Sequence, residues 1–587
     1  MPEFTHDCSL IFPPGFHPGQ PFLALPQLKS FIKDHGYHSK IYDFNLEAFH
    51  YFLEPTRAEE NLKWAICHLI DLQDKDQLFS HERKKLPFLN YALQFGKEQL
   101  RQLSKSIEVF NNKDFYQQDL FLESKKNIHF FYRLACLQYG DSIFSFEVYY
   151  PHDGVHSPKK LLRNIKSSSK NLFYKFLQEQ VSLLDFKVKV IGINASTRGQ
   201  FHSALTLAYL LKKNGYLGDI IMGGSYITRL FPKRDLLKQN FMAIVDYFSF
   251  FEGEFNLLSL LQGNLGSSTS LLSKDTIYES KTPPVTNHHN PDFSDLNLDR
   301  YFSPDIVLPF QIRRGCIYGK CIFCEHPVFM ESENKNRESP HIKSLVNSIL
   351  ALSKDYQTPY IYFIDEMILP LEMDEISQNL LESTHKIEFI CYSYFSTALL
   401  KEGRISLWKK AGLKKMWMGL ESFDPLVLRN MKKFRPNDSV EKCLTLFKQE
   451  NLPVHLFLLL GFPGETPKSL DQTIEKLISF QDKLDSVFFS ADLFCYTVYI
   501  NSEAYTLRDK LQIEVFPQGE LDIGITKWKL HNGLSSNDVQ SFVDDSIKKL
   551  RGVFNTNHKT DINLLELNCL QDSTHLLYIS HHEKMLK

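Results

Sequence analysis

The sequence predicts an α/β protein with two parallel sheets, first a doubly wound sheet and then an open barrel of six strand–helix units. Two observations lead to this class. Short apolar strands alternate with amphipathic helices over residues 8–260 and again over 306–495 of the 587-residue chain. Glycines or polar residues follow several strands, as they do where parallel strands end beside a ligand site. The length also requires more than one hydrophobic core.

The N-terminal domain is expected over residues 1–263, and it begins with a strand–helix–strand unit. Cys8–Phe12 is an apolar strand ended by Pro13-Pro14-Gly15, Phe22–His35 has a helical period, and Ser39–Phe44 is a second strand. Residues 54–183 contain amphipathic segments rich in Gln, Lys and Leu, with few turn signals. We expect a helical insertion there.

The α/β pattern resumes at Phe186. Strands are expected at Lys187–Ile193, Asp219–Met222 and Ile244–Phe251, with a helix at Ser203–Asn214. Gly223 and Gly224 directly follow the second of these strands. This part therefore predicts a Rossmann-like doubly wound domain that binds its ligand beyond the carboxyl ends of the strands.

A polar segment, residues 264–300, separates the two runs, and we expect a linker there because it contains NLGSSTS, TPP and NHHNPDFSD. The second run, 301–495, starts with a strand near Ile306, and Ser339-Pro340 is expected to begin its first helix. Its further strands are expected at Tyr360–Ile364, Glu388–Tyr392, Lys415–Leu420, Val454–Leu460 and Ser486–Leu493. Six units instead of eight indicate an open barrel. Residues 496–587 are expected to be an α/β extension with a helix at Ser536–Arg551, which either closes the barrel or contacts the substrate.

Three cysteines stand in the loop after the first strand of the second run. Cys316, Cys321 and Cys324 are spaced C-x4-C-x2-C within QIRRGCIYGKCIFCEHP. Thiolates suit a soft metal site, and a [4Fe-4S] cluster normally takes four cysteines, so three leave one iron open. On spacing alone two other interpretations stay open. One is a Cys3His zinc site that includes His326, and the other is cysteines kept for packing.

This loop resembles that of the radical SAM enzymes, whose cluster loop is usually C-x3-C-x2-C with an aromatic residue before the last cysteine, here Phe323. The first gap is one residue longer in this chain, and Gly315 and Gly319 give it conformational room. The resemblance implies a partial (β/α)6 radical SAM barrel. It also implies that the open iron binds S-adenosylmethionine (SAM), whose reductive cleavage yields a 5′-deoxyadenosyl radical.

The same resemblance implies that cofactor contacts follow successive strands. Asp365 and Glu366 would hold the ammonium group of SAM, although carboxylates there also suit a helix N-terminus. The stretch GLESFDPLVLRNMKK resembles a family segment whose polar residues, here Glu421 and Ser422, lie near the SAM ribose. The GFPGET turn resembles one whose backbone passes close to adenine, here at Gly461 and Gly464. Cys391 and Cys495 are expected to be core cysteines.

The N-terminal domain resembles the cobalamin-binding domain that precedes the radical SAM domain in one large subgroup. The matching pieces are the Pro13-Pro14 loop, the Gly223-Gly224 turn and the segment VDYFSFFEGE. The D-x-H-x-x-G motif of cobalamin mutases is absent from the sequence. His17 lies in the corresponding loop, and we expect it to be an ordinary surface histidine. The resemblance implies cobalamin as a cofactor, with a domain used only for docking as the alternative.

Composition excludes several classes of partner. The net charge of −2 gives no electrostatic footprint for nucleic acid or an anionic membrane. No apolar run approaches the length of a membrane span, and the first residues lack the pattern of a signal peptide. The other seven cysteines are scattered singly, which favours a cytoplasmic, reduced protein.

Taken together, the resemblances imply a radical SAM enzyme that carries out cobalamin-assisted methylation of an unactivated carbon in a peptide or small metabolite. An electron donor such as flavodoxin or ferredoxin would be its partner. One alternative is radical cyclisation, rearrangement or oxidation without methyl transfer. Another is a non-catalytic protein that binds zinc or a cluster. A methylthiotransferase is disfavoured because Cys8, Cys67 and Cys136 do not form a second cluster pattern.

Overall fold

The computed structural model describes residues 6–268, 270–279, 290–326, 341–433, 438–484, 489–555 and 572–585. The chain divides into two compact units. The first comprises residues 1–283 and 291–305, and the second comprises residues 284–290 and 306–587. Each unit is built on a mainly parallel sheet, so the predicted α/β class is confirmed.

The first unit is a seven-stranded sheet with helices between its strands. Its strands are β1 Cys8–Phe12, β2 Ser39–Asp43, β3 Ile143–Phe144, β4 Tyr149–Tyr150, β5 Val190–Asn194, β6 Asp219–Gly223, β7 Tyr247–Ser249, β8 Ser270–Leu272 and β9 Ile277–Glu279. Its helices are α1 Ala24–Asp34, α2 Phe44–Leu53, α3 Pro55–Gln73, α4 Ser80–Val109, α5 Gln118–Cys136, α6 Pro158–Asn164, α7 Tyr174–Val181, α8 Arg198–Lys213, α9 Ser225–Arg229, α10 Arg234–Phe241 and α11 Glu254–Gln262. Helices α3 to α7 and the small β3–β4 pair occupy the segment where a helical insertion was expected.

The sheet order of the first unit is β2-β1-β5-β6-β7-β8-β9, and its first five strands are parallel. This is a doubly wound order whose direction reverses between β1 and β5, and ligands bind such sheets at the point of reversal. Strands β8 and β9 are antiparallel additions within the segment expected to be linker, so that expectation is wrong for residues 270–279. The reason is local: Leu271 and Leu272 are buried, and pairing with β7 removes them from water.

In the described residues the second unit contains a six-stranded sheet, two short antiparallel strand pairs, one isolated β-bridge and ten α-helices. Its strands are β10 Val307–Phe310, β11 Tyr360–Phe363, β12 Glu388–Tyr394, β13 Leu413–Glu421, β14 Val454–Leu460, β15 Ser490–Cys495, β16 Val498–Tyr499, β17 Ile513–Val515, β18 Gly524–Ile525 and β19 Trp528–Leu530. Its helices are α12 Ile342–Asp355, α13 Pro370–Glu382, α14 Arg404–Ala411, α15 Pro425–Asn430, α16 Ser439–Gln449, α17 Pro467–Ser479, α18 Gln481–Leu484, α19 Glu503–Thr506, α20 Ser536–Asn555 and α21 Asp572–Met585.

Strands β10 to β15 pair in chain order, and every pair is parallel. Within the described residues the two edge strands, β10 and β15, do not pair with each other, which agrees with the predicted open barrel. The expected helix start at Ser339-Pro340 and the first residues of the strand expected at Ser486–Leu493 lie outside the described residues.

Side chains alternate between the two faces of this sheet. One face is apolar and fully buried, and it includes Met416, Met418, Leu456, Leu458 and Cys391. We call the opposite face the inner face. Most of its side chains are polar or aromatic, although Leu459 is apolar; the polar and aromatic ones include Tyr362, Tyr392, Tyr394, Lys415, Trp417, His455, Phe457, Ser490, Asp492 and Phe494.

Helix α21 covers the inner face where the strands begin. It packs on β11, β12 and β13, its Lys584 donates to the Tyr360 hydroxyl at 2.9 Å, and its Glu583 pairs with Lys414 at 2.5 Å. The end of the chain therefore closes the sheet at the edge opposite the cysteine loop. In the part of the chain that the structure describes, no helix combines the length and hydropathy needed to cross a membrane.

Candidate functional site

The cysteine loop is anchored at its first residues by a buried carboxylate. Asp365 comes just after β11, beside the end of β10, and it accepts hydrogen bonds from the backbone N–H groups of Ile312, at 2.8 and 3.1 Å, and Arg313, at 2.7 Å. It is 1 % exposed, and burial raises its pKa to about 7 although these hydrogen bonds lower it. Its carboxylate is thus engaged with the backbone, whereas the sequence predicted a contact with SAM.

The rest of the loop is attached to residues beyond the ends of β11, β13 and β14. The imidazole Nδ1 of His326 lies 2.8 Å from Oε1 of Glu366, which follows β11. The Tyr318 hydroxyl donates to the carbonyl of Lys432 at 2.6 Å, beyond β13, and the ring of Phe323 lies 6.2 Å from that of Phe462, beyond β14. The loop therefore lies across the carboxyl edge of the sheet, where parallel barrels bind their ligands.

The thiols of Cys316, Cys321 and Cys324 are all half-buried and free of disulfides. The pKa of Cys321 is raised to about 11 and that of Cys324 to about 12, mainly by burial. Neighbouring loop cysteines contribute to both values, Cys316 in each case and Cys321 for Cys324. The three sulfurs thus lie close enough to interact electrostatically. Left-handed backbone at Gly315 and Gly319, with φ of 78° and 55°, is the conformation that glycine permits.

This donor set fits a cluster in which each thiolate binds a different iron. His326, the fourth ligand of the zinc alternative, is paired with Glu366. Within the described ranges, no three His, Cys, Asp or Glu side chains are arranged to hold a single metal ion.

A lysine that sequence reasoning missed lies next to the loop. Lys433 Nζ is 2.5 Å from Oε1 of Glu421, at the end of β13, and its charge lowers the pKa of Cys321. Gly419 leaves room for this ion pair, because an added Cβ would lie 2.4 Å from Lys433 Nζ and 2.8 Å from Glu421. Lys433 stands in the quoted stretch GLESFDPLVLRNMKK, but only the fold reveals its partner.

The turns after β13 and β14 are bonded to each other. Glu465 accepts hydrogen bonds from the Gly461 N–H and from Ser422, and its burial raises its pKa to about 7. Ser422 is fully buried. Gly461, with φ of 88°, lies against Trp528, where an added Cβ would come within 2.8 Å, and Gly464 faces Asn430 in the same way at 2.5 Å. Packing alone therefore requires both glycines, and their predicted contact with adenine stays a prediction.

In the first unit, the loops after β1 and β5 meet at the reversal of strand order. The Gln200 side chain donates to the carbonyl of Pro13 at 3.0 Å, and the Thr197 hydroxyl donates to that of Gly15 at 2.9 Å. Gly224, with φ of 110°, packs on the backbone of Ala195, where an added Cβ would come within 2.7 Å.

Two further predicted residues of this edge differ in their surroundings. At Gly223 an added Cβ would lie 3.4 Å from Ser249, which is an ordinary van der Waals distance. His17 is half-buried beside Phe16, with ring centroids 4.2 Å apart, and burial lowers its pKa to about 3. Its Nδ1 is buried without a hydrogen-bond partner among the described residues. The expectation of an ordinary surface histidine is therefore wrong, because the loop folds the ring against its neighbour.

The chain is similar to known proteins in part of its sequence and in its fold. Residues 310–477 match the model of the Radical SAM superfamily. No curated protein sequence matches the chain. The fold is similar to that of the radical S-adenosylmethionine methyltransferase TsrM from Kitasatospora setae, solved with cobalamin and a [4Fe-4S] cluster, with a TM-score of 0.51 at 11 % identity. That match covers 86 % of this chain and 76 % of TsrM.

A second solved structure is the apo form of the cobalamin-dependent S-adenosylmethionine radical enzyme OxsB, with a TM-score of 0.50 at 16 % identity. It covers 71 % of this chain and 68 % of OxsB. At these identities both likenesses describe the fold, an N-terminal doubly wound domain followed by a partial barrel, as the sequence predicted. The cysteine loop and both motif turns fall inside or beside the matched range. Residues 310–477 thus form a Radical SAM superfamily domain within this chain.

Proposed function

We propose that this enzyme transfers a methyl group from SAM to an unactivated carbon of a peptide or small metabolite, with cobalamin as the methyl carrier. The observation that carries the proposal is the cysteine loop, which is held across the carboxyl edge of the barrel by Asp365 and by contacts beyond β11, β13 and β14. A doubly wound unit of the order β2-β1-β5-β6-β7 precedes that barrel in the chain.

Cys316, Cys321 and Cys324 would hold a [4Fe-4S] cluster, leaving one iron for SAM. When bound, the cluster and SAM supply one-electron cleavage chemistry, and a flavodoxin- or ferredoxin-type donor would provide the electron. Asp365 is engaged with backbone N–H groups, whereas Glu366 and Glu421 pair with the side chains of His326 and Lys433. Glu366 and Glu421 would therefore be the carboxylates that make polar contacts to SAM. Phe323, Gly461 and Gly464 would border the adenosine.

Cobalamin would bind at the first unit, at the reversal of strand order, beside Gly223 and Gly224. Two observations support this site. The loops after β1 and β5 meet there, and the buried Nδ1 of His17 has no partner among the described residues. A buried imidazole nitrogen without a hydrogen bond is costly, so a bound group at this edge would relieve it. The likeness of fold to TsrM agrees with this assignment.

The cluster and SAM assignments are tested by anaerobic reconstitution with iron and sulfide, followed by SAM and dithionite. The expected result is 5′-deoxyadenosine or S-adenosylhomocysteine from the wild-type chain. Each of the variants Cys316→Ala, Cys321→Ala and Cys324→Ala should lose most bound iron and all product. The matched control is Cys67→Ala, because Cys67 is an exposed cysteine of α3 in the first unit. Full iron loading and product release in any loop variant would refute the assignment.

The methyl-transfer assignment is tested with cobalamin and with SAM labelled in its methyl group. We expect the chain to retain cobalamin through gel filtration and to form methylcobalamin that carries the label. His17→Ala should change the visible spectrum of the bound cobalamin. If SAM is cleaved but no cobalamin is retained and no label is transferred, the enzyme performs another radical reaction, such as cyclisation or oxidation.

A further inference from the structure

The inner face of the barrel carries an aromatic wall. The ring of Tyr392 on β12 stacks on that of Phe457 on β14, with centroids 5.9 Å apart and planes 12° apart. Phe457 stacks in turn on Phe494 of β15, at 6.3 Å and 23°. The first two rings are half-exposed, and Phe494 is 49 % exposed. These three near-parallel rings form an aromatic, apolar surface of the kind that aromatic ligands pack against.

One carboxylate borders this wall. Asp492 pairs in register with Phe457, so the two side chains stand at the same level of the inner face. The side chain of Asp492 is 31 % exposed. The other described inner-face side chains of β14 and β15 are His455, Leu459, Ser490 and Phe494, none of which is an acid.

A buried hydrogen-bonded chain lies next to Asp492. Lys415, fully buried, donates from Nζ to Ser490 Oγ at 2.6 Å, and Ser490 lies 2.7 Å from Nδ1 of His455. A hydroxyl that accepts from an ammonium has its own proton left to donate, so Nδ1 of His455 accepts it. The other ring nitrogen of His455, Nε2, lies 3.4 Å from Asp492 Oδ2.

Two other ionisable groups face this chain. On α21, His575 has its Nδ1 3.3 Å from Lys415 Nζ, and burial together with Lys415 lowers its pKa well below the ordinary value. His575 is therefore neutral and accepts from Lys415. On β12, the Tyr392 hydroxyl bonds to that of Tyr362 at 2.9 Å.

The row that contains Asp492 also reaches the cysteine loop. Asp492, Phe457, Gly419 and Tyr394 are register partners on β15, β14, β13 and β12. At the far end of the row, the ring of Tyr394 lies 6.3 Å from that of Tyr318 in the loop, and Gly419 faces Lys433. Because neighbouring strands are about 4.8 Å apart, Asp492 lies about 10 Å across the row from Gly419, roughly the length of a small aromatic molecule.

We propose that this inner face binds the substrate, and that the substrate carries an aromatic ring and a positively charged nitrogen. The ring stacks on the wall of Tyr392, Phe457 and Phe494, and the cation pairs with Asp492. This inference rests on the proposed function and specifies its substrate class: an aromatic amine, or a peptide that presents one.

The test measures binding of two probes of equal size and opposite charge, 2-phenylethylammonium and 3-phenylpropionate, to the reconstituted full-length chain in the presence of SAM. Isothermal titration at pH 7.5 should detect the cation and not the anion. A third probe, 2-cyclohexylethylammonium, keeps the charge but lacks the flat ring, and it should bind several-fold more weakly than the aromatic cation.

Two variants test the residues. Asp492→Asn should weaken binding of 2-phenylethylammonium about ten- to hundredfold, since it removes a charged partner. Phe457→Leu should weaken it about three- to tenfold through loss of stacking. The matched controls, Asp471→Asn on the exposed side of α17 and Phe516→Leu at an exposed ring after β17, should bind like the wild type.

Uncoupled SAM cleavage to 5′-deoxyadenosine, measured in each sample, separates this inference from the proposed function. If the wild type cleaves SAM but binds the anion as well as the cation, or binds neither, the inference is wrong and the function stands. Wild-type affinity in Asp492→Asn, with normal cleavage, would also overturn it. If the wild type fails to cleave SAM, the proposed function fails whatever binds.

Discussion

The substitution Asp365→Asn tests how the cysteine loop is anchored. Asp365 is 1 % exposed, and burial raises its pKa from the ordinary 3.8 to about 7. Between these values the folded chain keeps a proton that the unfolded chain has released. Because the pKa of this acid is higher in the folded chain, its contribution to the free energy of unfolding is fully present below pH 3.8 and is lost as pH rises through 7. An asparagine does not titrate, so the variant lacks this loss.

The expected size follows from the two pKa values. Between pH 5 and pH 8 the free energy of unfolding of the wild type should fall by about 2.5 kcal/mol relative to that of Asp365→Asn, and most of the change should occur below pH 7. Denaturant unfolding followed by tryptophan fluorescence is a suitable assay, because three of the four tryptophans, Trp408, Trp417 and Trp528, belong to the second unit.

Iron content supplies a second readout for the same variant. An amide oxygen can replace one carboxylate oxygen but its nitrogen cannot accept, so the backbone N–H groups of Ile312 and Arg313 lose part of their anchor. Asp365→Asn should then retain less iron after reconstitution than the exposed control Asp471→Asn. A stability difference that does not change with pH, together with normal iron retention, would refute the assignment of Asp365 as a buried, titrating anchor.

Three further substitutions have defined outcomes. Gly461→Ala should destabilise the second unit by about 2 kcal/mol or more in denaturant unfolding, because the new Cβ would meet Trp528 at 2.8 Å and the φ of residue 461 is 88°. Gly533→Ala is the control, since Gly533 also has a positive φ but lies in open space. Equal losses of stability in the two variants would contradict the packing argument. Asp374→Ala should lower the free energy of unfolding by about 3 to 5 kcal/mol, because it leaves Arg404, which is 5 % exposed, without its buried carboxylate partner. A loss below about 1 kcal/mol would show that this ion pair is not needed for stability. Glu465→Gln should remove a titration near pH 7 from the dependence of the free energy of unfolding of the second unit on pH. The wild type should therefore lose stability relative to the variant as pH rises from 5 to 8. Parallel pH dependences of the free energy of unfolding in the two proteins would contradict the raised pKa of Glu465.

Several parts of the fold and site were predictable because their signals are local. Alternation of strands and helices gave the two parallel sheets, and the strand expected at Val454–Leu460 has those bounds in the structure. Three cysteines in a short loop after a strand identified the candidate cluster site, and the Radical SAM match over residues 310–477 agrees with it. The hairpin of β8 and β9 was missed, since polar composition suggested a linker and only pairing with β7 stabilises Leu271 and Leu272.

Roles of individual polar residues were less predictable because they depend on partners far away in the chain. Asp365 and Glu366 are adjacent in sequence, yet one bonds to Ile312 and Arg313, and the other pairs with His326. The spacing of residues in the sequence does not identify Ile312 and Arg313, or His326, as the partners of these two carboxylates. The inner-face residues His455, Phe457 and Asp492 do leave a trace in the sequence, in the two-residue alternation of VHLFLLL and SADLFC. Alternation alone does not tell which face is inner.

By itself, the sequence determined the class of the fold, the order of its elements and the three candidate cluster ligands, because periodicity and loop spacing are properties of consecutive residues. Tertiary structure alone decided which carboxylates are engaged by the backbone, that Lys433 lies beside Cys321, that His17 is half-buried, and that α21 covers the inner face. Each of these depends on a contact formed only when parallel strands bring distant residues to one edge of a sheet.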